Sequence, residues 1–175
     1  LIYRQIDTTK IAIDRDAALA RLKKCEVIDH FENGFSAPDI VDHALKRKLP
    51  DSSVEVLTPD FLGHEEEALQ IVLGARPEVF NHNIETVRRL HRRMRGAKAS
   101  YDKALWLLRR AKEVADYPVL TKSGIIVGLG ETNDEVVETM RDLRAVGVDV
   151  VTIGQYLQPS KQHAPIDRWV HPDEF

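Results

Sequence analysis

Residues 119–131 read VLTKSGIIVGLGE, an apolar run that carries three glycines and ends on a glutamate. A core strand gains nothing from glycine, because each glycine weakens the strand and leaves no side chain to pack. Glycines are useful where the backbone turns sharply or where a ligand approaches it closely. The stretch therefore indicates a strand that leads into a tight turn or a ligand site, and the rest of the chain has to decide between them.

The composition is that of one globular domain: 175 residues, 43% hydrophobic, 30% charged, with a net charge of −3. The sequence has neither an apolar run of the roughly 20 residues that cross a bilayer nor a signal-peptide core at its start. We therefore expect a cytoplasmic or equivalent organelle-matrix setting and no membrane partner. The single Cys25 agrees, because it can form no intramolecular disulfide. The first residue is Leu1 rather than Met, so we also expect a fragment or a processed chain.

From residue 54 onward, strand and helix patterns alternate. The sequence predicts parallel strands at roughly 54–61, 78–84, 119–129 and 148–157, and helices at 64–75, 86–95, 100–115 and 132–147. This alternation predicts an α/β fold whose parallel sheet is covered by helices. Residues 1–53 are less regular and mostly helical in pattern, with helices at 14–24 and 37–49 and a poor strand at 25–31.

Polar residues gather where the predicted strands end, and the apolar residues precede them. They are Thr58, Asp60, Asn81, His82, Asn83, Glu85, Glu131, Gln155, Tyr156 and Gln158. In parallel α/β sheets, ligands bind at the carboxyl ends of the strands. One mouth of the sheet is therefore predicted to be polar and to hold the functional site.

The segment NHNIET, residues 81–86, offers amide and carboxylate groups suited to ribose hydroxyls or to an amino-acid end group. Side chains alternate across a strand, so Asn81 and Asn83 are expected on one face and His82 on the other. The alternative is that Asn83 caps the next helix and Glu85 simply suits the start of that helix. The residues alone leave both interpretations open.

The segment KSGIIVGLGE, residues 122–131, surrounds an apolar strand with Gly124, Gly128 and Gly130. These glycines would let an adenine or a peptide-like edge lie against the backbone. A strand-to-helix turn that needs small residues is the simpler alternative, and a glycine pattern by itself is a weak signal. The segment is not a phosphate-binding P-loop, because no Gly-Lys-Ser/Thr follows.

The run RRLHRRMR, residues 88–95, is basic but has no interleaved aromatic residues. We interpret it as a solvated helix face and expect no nucleic-acid partner, because the whole chain is slightly acidic. The seven histidines show no ligand spacing, such as two histidines at i and i+4, so no metal site is predicted from them.

Four motifs together resemble one family, the lipoyl synthases of the radical S-adenosylmethionine (radical SAM) superfamily. They are VEVLTPDF at 54–61, PEVFNHNIETV at 77–87, TKSGIIVGLGET at 121–132 and TIGQYLQPS at 152–160. Their order and spacing match the family from about residue 54 to residue 175, and QIDTTK at 5–10 matches as well.

The resemblance implies a partial (β/α) barrel of radical SAM type, with residues 1–175 forming a single incomplete domain. Residues 54–175 would supply barrel strands three to six, and the N-terminal strands would be missing or degraded. In the family the barrel holds S-adenosylmethionine and two [4Fe–4S] clusters. The enzyme inserts two sulfurs into an octanoyl group on a lipoyl-carrier protein domain, which would be the partner.

The resemblance also assigns cofactor-binding residues. The residues that match family positions near the adenine are Gly124, Ile126, Gly128 and Glu131. Those that match positions facing the ribose are Asn81, Asn83 and Glu85. Three more, Lys122, Gln155 and Tyr156, match positions that line the same mouth of the sheet. The resemblance assigns no catalytic residue and no metal ligand.

The chain departs from the family pattern at the cluster ligands. Leu1 and Arg4 fall at two of the three cysteine positions of the radical SAM cluster, and Cys25 matches none. The cysteines of the auxiliary cluster and the C-terminal serine motif are absent as well. We therefore expect the chain as given to hold neither [4Fe–4S] cluster and to be inactive. Two alternatives are a non-catalytic remnant or divergent homologue that at most binds an adenosyl ligand, and an unrelated α/β binding protein.

Overall fold

The computed structural model describes residue 51 and residues 53–175. The predicted elements at 14–24, 25–31 and 37–49, and the motif at 5–10, lie outside the described residues. The elements follow one another as β1 (Glu55–Leu57), α1 (Glu65–Gly74), β2 (Val79–Asn81), α2 (Arg88–Arg95), α3 (Tyr101–Val114), β3 (Leu120–Val127), α4 (Asn133–Ala145), β4 (Val150–Gln155) and a 3₁₀ turn (Pro172–Glu174).

The four strands form one parallel sheet in the order β1-β2-β3-β4. The predicted α/β fold with parallel strands and alternating helices is therefore confirmed, and it is consistent with part of a radical SAM barrel. Each strand is shorter than predicted. In β1, for example, the ladder stops at Leu57, and Thr58 donates its backbone N–H to the Asn81 carbonyl outside the strand.

The outer face of the sheet packs against the helices. On β3, Thr121, Ser123 and Ile125 are buried in this direction. The centre of this core is fully buried and consists mainly of Leu69, Phe80, Ile84, Leu107, Leu108, Ile125 and Leu143. Because side chains alternate along a strand, the other face of β3 carries Lys122, Gly124 and Ile126. This second face is called the inner face below.

Local signals set the start of α3 and both ends of α4. Ser100 Oγ accepts a hydrogen bond from the Lys103 backbone N–H and caps α3. Thr132 caps α4 through a reciprocal capping box with Glu135. Gly147 follows α4 with a φ of 84°. In the part of the chain that the structure describes, no helix is both long enough and apolar enough to span a membrane.

Candidate functional site

An open cleft of about 380 Å³ lies on the inner face of the sheet, beside the ends of β2, β3 and β4. Its lining residues are Asn83, Glu85, Gly124, Ile125, Ile126, Thr152, Ile153 and Gly154. The volume is within the range of small-molecule sites in proteins. Four of the predicted cofactor-binding residues, Asn83, Glu85, Gly124 and Ile126, therefore meet in one cleft.

The segment after β2 forms a bulge in the sheet. Asn81 pairs with Lys122, and the next pairing is Glu85 with Ile125, so three residues on one chain segment (82–84) lie opposite two on the other (123–124). Glu85 takes a left-handed conformation with a φ of 68°. A bulge of this kind redirects side chains and is common beside functional sites. We call residues 82–85 the β2 bulge.

The β2 bulge replaces the helix start that one interpretation of the sequence predicted. Helix α2 begins at Arg88 with Val87 as its cap, and neither Asn83 nor Glu85 lies within its first turn. The prediction that residue 86 begins the helix, and the alternative that Asn83 caps it, are both wrong. The physical reason is that the Glu85 N–H bonds the Gly124 carbonyl (2.9 Å) and the Glu85 carbonyl accepts from Ile126 N–H (2.8 Å), which keeps this backbone in the sheet.

Gly124 allows the β2 bulge to lie close to β3. A Cβ atom at this position would lie 2.8 Å from Asn83 Oδ1 and 3.2 Å from Thr152 Oγ1, so an alanine would collide with the amide that lines the cleft. Gly154, the neighbouring glycine on β4, differs, because its missing Cβ would meet no atom within 4 Å. Gly124 therefore serves the packing of the β2 bulge against β3, whereas Gly154 leaves the cleft open.

Below the cleft, Asn81 and Lys122 are joined by Glu55, a residue that the sequence analysis did not single out. Lys122 Nζ lies 2.8 and 2.9 Å from the two carboxylate oxygens of Glu55, and Asn81 Nδ2 donates to Glu55 Oε1 at 2.7 Å. The hydrogen bond from Lys122 lowers the pKa of Glu55. The signal for Glu55 was present in VEVL, because a charged residue between two valines on a strand points to the face opposite the core.

Glu131 shapes the turn after β3. Only 7% of Glu131 is exposed, and its two carboxylate oxygens accept hydrogen bonds from the backbone N–H groups of Gly128 (2.6 Å) and Leu129 (2.9 Å). Gly128 itself has a φ of 98° and lies against Gln155 and the Arg168 carbonyl. The observed bonds of Glu131 lie within the turn, and a contact between Glu131 and a ligand stays a prediction.

Gln155 and Tyr156, at the end of β4, contact the segment that follows. Gln155 Oε1 accepts from the Val170 N–H (2.8 Å), and its Nε2 lies 3.3 Å from the Arg168 carbonyl. Tyr156 donates its hydroxyl proton to the Ala164 carbonyl at 2.9 Å. Neither residue lines the cleft described above, so the predicted mouth divides into the cleft and a second cluster around Gly128, Glu131 and Gln155.

The imidazole of His82 is buried on the outer face of the sheet, behind the β2 bulge. This is the face that the alternation of side chains along the strand predicted for it. His82 is 1% exposed, and its Nδ1 lies 3.0 Å from the Thr58 carbonyl and its Nε2 3.2 Å from Asp60 Oδ1. A second buried imidazole, His91, meets Tyr101 edge to face at a centroid distance of 5.7 Å. Burial lowers the pKa of both histidines.

We expect the free energy of unfolding to fall as the pH drops below about 6.5, the ordinary pKa of histidine. In the folded protein, His82 and His91 have lowered pKa values, so over this range the unfolded chain binds more protons and gains stability relative to the folded state. The slope contributed by each histidine is at most about 1.4 kcal/mol per pH unit. Urea denaturation between pH 7.5 and 5.0 measures this slope. His91→Phe keeps a ring beside Tyr101, and a slope unchanged by it would contradict the assignment.

The described residues do not supply the ligands of an iron–sulfur cluster. None of them is a cysteine, and no three His, Cys, Asp or Glu side chains among them are grouped as a metal site requires. Such clusters are held by cysteine thiolates in nearly all cases. The cleft, by contrast, combines an amide, a carboxylate, an apolar wall and two glycines, a set that fits a nucleoside-like group.

Two comparisons with known proteins, one with family models and one with curated proteins, point to the same family. Residues 12–143 match the family model described as the Radical SAM superfamily. The chain is similar to the lipoyl synthase of Rubrobacter xylanophilus, with 47% identity over 173 residues that make up 99% of this chain and 52% of that protein. It is also similar to the lipoyl synthases of Shouchella clausii (56% identity, 75% of this chain and 42% of that protein) and Escherichia coli (52% identity, 75% and 40%).

The chain thus spans about half, or less, of the length of these relatives. The family match covers most of the chain, and the identities to lipoyl synthases lie close to 50% in every case cited. The parallel sheet with alternating helices is consistent with a partial α/β fold of this family. The chain belongs to the radical SAM superfamily, and within that superfamily it is lipoyl synthase-like.

Proposed function

We propose that the cleft on the inner face binds the adenosyl part of S-adenosylmethionine. The observation that carries this proposal is that Asn83, Glu85, Gly124 and Ile126 line one open cleft at the ends of the parallel strands. Ligands of parallel α/β sheets bind at such strand ends. The four residues come from two separate motifs of the sequence, so their meeting was not guaranteed by either motif alone.

The residues of the cleft divide the binding task by their chemistry. The carboxylate of Glu85 and the amide of Asn83 suit the hydroxyl groups of a ribose, because they offer acceptors and a donor on one side of the cleft. Ile126 provides an apolar wall for the face of an adenine. Lys122, the only lysine of β3, lies on the same inner face and is held by Glu55, which Asn81 also contacts.

For a protein in which this fold is combined with cluster ligands, we propose the activity of the relatives, the insertion of two sulfurs into an octanoyl group carried by a lipoyl-carrier protein domain. S-Adenosylmethionine supplies hydrogen-abstracting chemistry in this family when a [4Fe–4S] cluster reduces it. The described residues would bind and orient the adenosyl group and offer no cluster ligands. We therefore propose that the chain by itself binds the ligand without catalysing the reaction.

Calorimetric titration with S-adenosylmethionine tests the proposal, and Gly154→Val is the sharpest variant for it. The valine side chain would meet no protein atom at its Cβ and would extend into the cleft. We expect it to weaken binding by at least about tenfold, while the free energy of unfolding changes by no more than about 0.5 kcal/mol. Gly74→Ala, at the exposed end of α1 where a Cβ also meets nothing, is the matched control and should bind normally.

Asn83→Ala should also weaken binding by about tenfold, because it removes one hydrogen bond to the ligand. No binding by the unaltered, folded chain would contradict the proposal and favour a remnant without a ligand. Normal binding by Gly154→Val would place the ligand elsewhere. Loss of binding in both cleft variants, with the control unchanged, would support the cleft as the site.

A further inference from the structure

We propose that Arg95 is a positioning residue that holds the β2 bulge in the conformation that presents Asn83 and Glu85 to the cleft. The inference deepens the proposed function and rests on it for the nature of the ligand. Arg95 is the last residue of α2 and is mostly buried, with 21% of its side chain exposed. Nothing in the four family motifs includes this position, which lies in the basic run of α2.

The guanidinium of Arg95 bridges two chain segments. Its Nη1 donates to the backbone carbonyl of Asn83 at 3.0 Å, and its Nη2 lies 3.1 and 3.0 Å from the two carboxylate oxygens of Asp60. A planar guanidinium can make both sets of bonds at once because its donors point in fixed directions. The loop after β1 and the β2 bulge are thereby joined through one side chain.

Asp60 also lies against the buried imidazole of His82. His82 Nε2 lies 3.2 Å from Asp60 Oδ1, and the other ring nitrogen lies 3.0 Å from the Thr58 carbonyl. The hydrogen-bonded connection therefore runs from Asp60, in the loop after β1, through Arg95 to Asn83. His82 belongs to the β2 bulge and donates from Nδ1 to the Thr58 carbonyl, whereas its Nε2 makes no hydrogen bond to any described residue. The bulge is therefore fastened at its first two residues, His82 through Thr58 and Asn83 through Arg95.

The β2 bulge needs such a fastening because Glu85 is held in a left-handed conformation, which is unfavourable for a residue with a side chain. Its Oε1 lies 3.8 Å from Arg95 Nη1, so the same guanidinium faces both the backbone and the carboxylate of the bulge. Strained residues persist only where the surrounding structure determines them. Arg95 is the charged side chain that contacts this segment at two points.

The test compares Arg95→Gln and Arg95→Lys with Arg93→Gln, a control that removes the same charge from an exposed position of the same helix. Amide hydrogen exchange of the free chain reports on the bulge through the bonded N–H groups of Ile84, Glu85 and Ile126. We expect these amides to exchange at least about tenfold faster in both Arg95 variants. Amides in the middle of α3 should keep the exchange rates of the unaltered chain, and Arg93→Gln should change neither set.

Calorimetry with S-adenosylhomocysteine as the probe measures the consequence for binding. We expect about a tenfold loss of affinity in both Arg95 variants. A lysine offers a single charged group, so it can keep the pairing with Asp60 but not the bond to the Asn83 carbonyl as well. A role in net charge alone would predict full rescue by Arg95→Lys.

The outcomes separate the two proposals. Rescue by lysine, or exchange rates in the bulge equal to those of the control, would overturn the role of Arg95 even if the unaltered chain binds the probe. No binding by the unaltered chain would overturn the proposed function, and the exchange rates would still decide whether Arg95 holds the bulge. Faster exchange confined to the bulge, together with weaker binding in both Arg95 variants, would support the inference.

Discussion

Replacing Gly128 with alanine is expected to destabilise the protein by about 2–5 kcal/mol. The first cause is the backbone, because Gly128 has a φ of 98°, a region that side chains rarely adopt. The second is space, since a Cβ atom would lie 2.4 Å from Gln155 Nε2 and 2.6 Å from the Arg168 carbonyl. Gln155 can rotate only by giving up its bonds to the segment after β4, and the Arg168 carbonyl is backbone.

Urea denaturation of Gly128→Ala and Gly63→Ala separates these two causes. Gly63 has a similar φ of 89°, but a Cβ atom there would meet nothing within 4 Å. We expect Gly63→Ala to cost only the backbone strain, about 1–2 kcal/mol. The difference between the two variants measures the contact with Gln155 and Arg168. Equal decreases in the free energy of unfolding would show that the segment after β4 can move to make room for the new side chain. The close contacts at Gly128 would then contribute nothing to the destabilisation.

Replacing Glu131 with alanine is expected to destabilise the protein by about 2–5 kcal/mol as well. The carboxylate accepts the backbone N–H groups of Gly128 and Leu129 in a buried turn, and its removal leaves both donors without their partner. Each unsatisfied buried donor costs about 1–3 kcal/mol. Glu131→Gln keeps one acceptor oxygen and places an N–H₂ group against the other donor, so we expect an intermediate loss.

The control for Glu131 is Glu138→Ala, which removes an exposed carboxylate from α4 and should change the free energy of unfolding by no more than about 0.5 kcal/mol. Thermal denaturation monitored by circular dichroism measures all three variants under one condition. A Glu131→Ala protein as stable as the Glu138→Ala control would mean that water satisfies the two N–H groups. The carboxylate would then be free for a role in ligand binding alone.

The periodicity of the sequence predicted the order of the four strands and four α-helices that the structure describes, but not the 3₁₀ turn at Pro172–Glu174. Apolar runs at 119–129 and 148–157 and the helical patterns between them correspond to β3, α4 and β4, with Thr132 and Gly147 at the predicted ends of the helix. These features could be predicted because capping and hydrophobic alternation act over a few neighbouring residues. The lengths of the strands were overestimated, because the residue at which a strand stops pairing depends on the neighbouring strand.

The structure brings four of the predicted site residues together in one cleft, but their arrangement was not predicted. Asn83, Glu85, Gly124 and Ile126 come together as the motifs suggested, whereas Glu131, Gln155 and Tyr156 make their bonds in a second cluster. The β2 bulge was not foreseen, because no local signal marks a non-glycine residue that will take a positive φ. It arises when the pairing of β2 with β3 resumes one residue out of step after Asn81.

The sequence by itself determined the family, the parallel α/β class and the residues that reach the carboxyl ends of the strands. Short-range periodicity and motif order carry that information, and both are properties of the chain. Only the tertiary structure decided which of those residues share a cleft, and it alone revealed that Glu55 joins Asn81 to Lys122 and that Arg95 joins Asp60 to Asn83. These contacts link residues 12 to 67 positions apart. Their partners are set by strand register and helix packing, which no local pattern encodes.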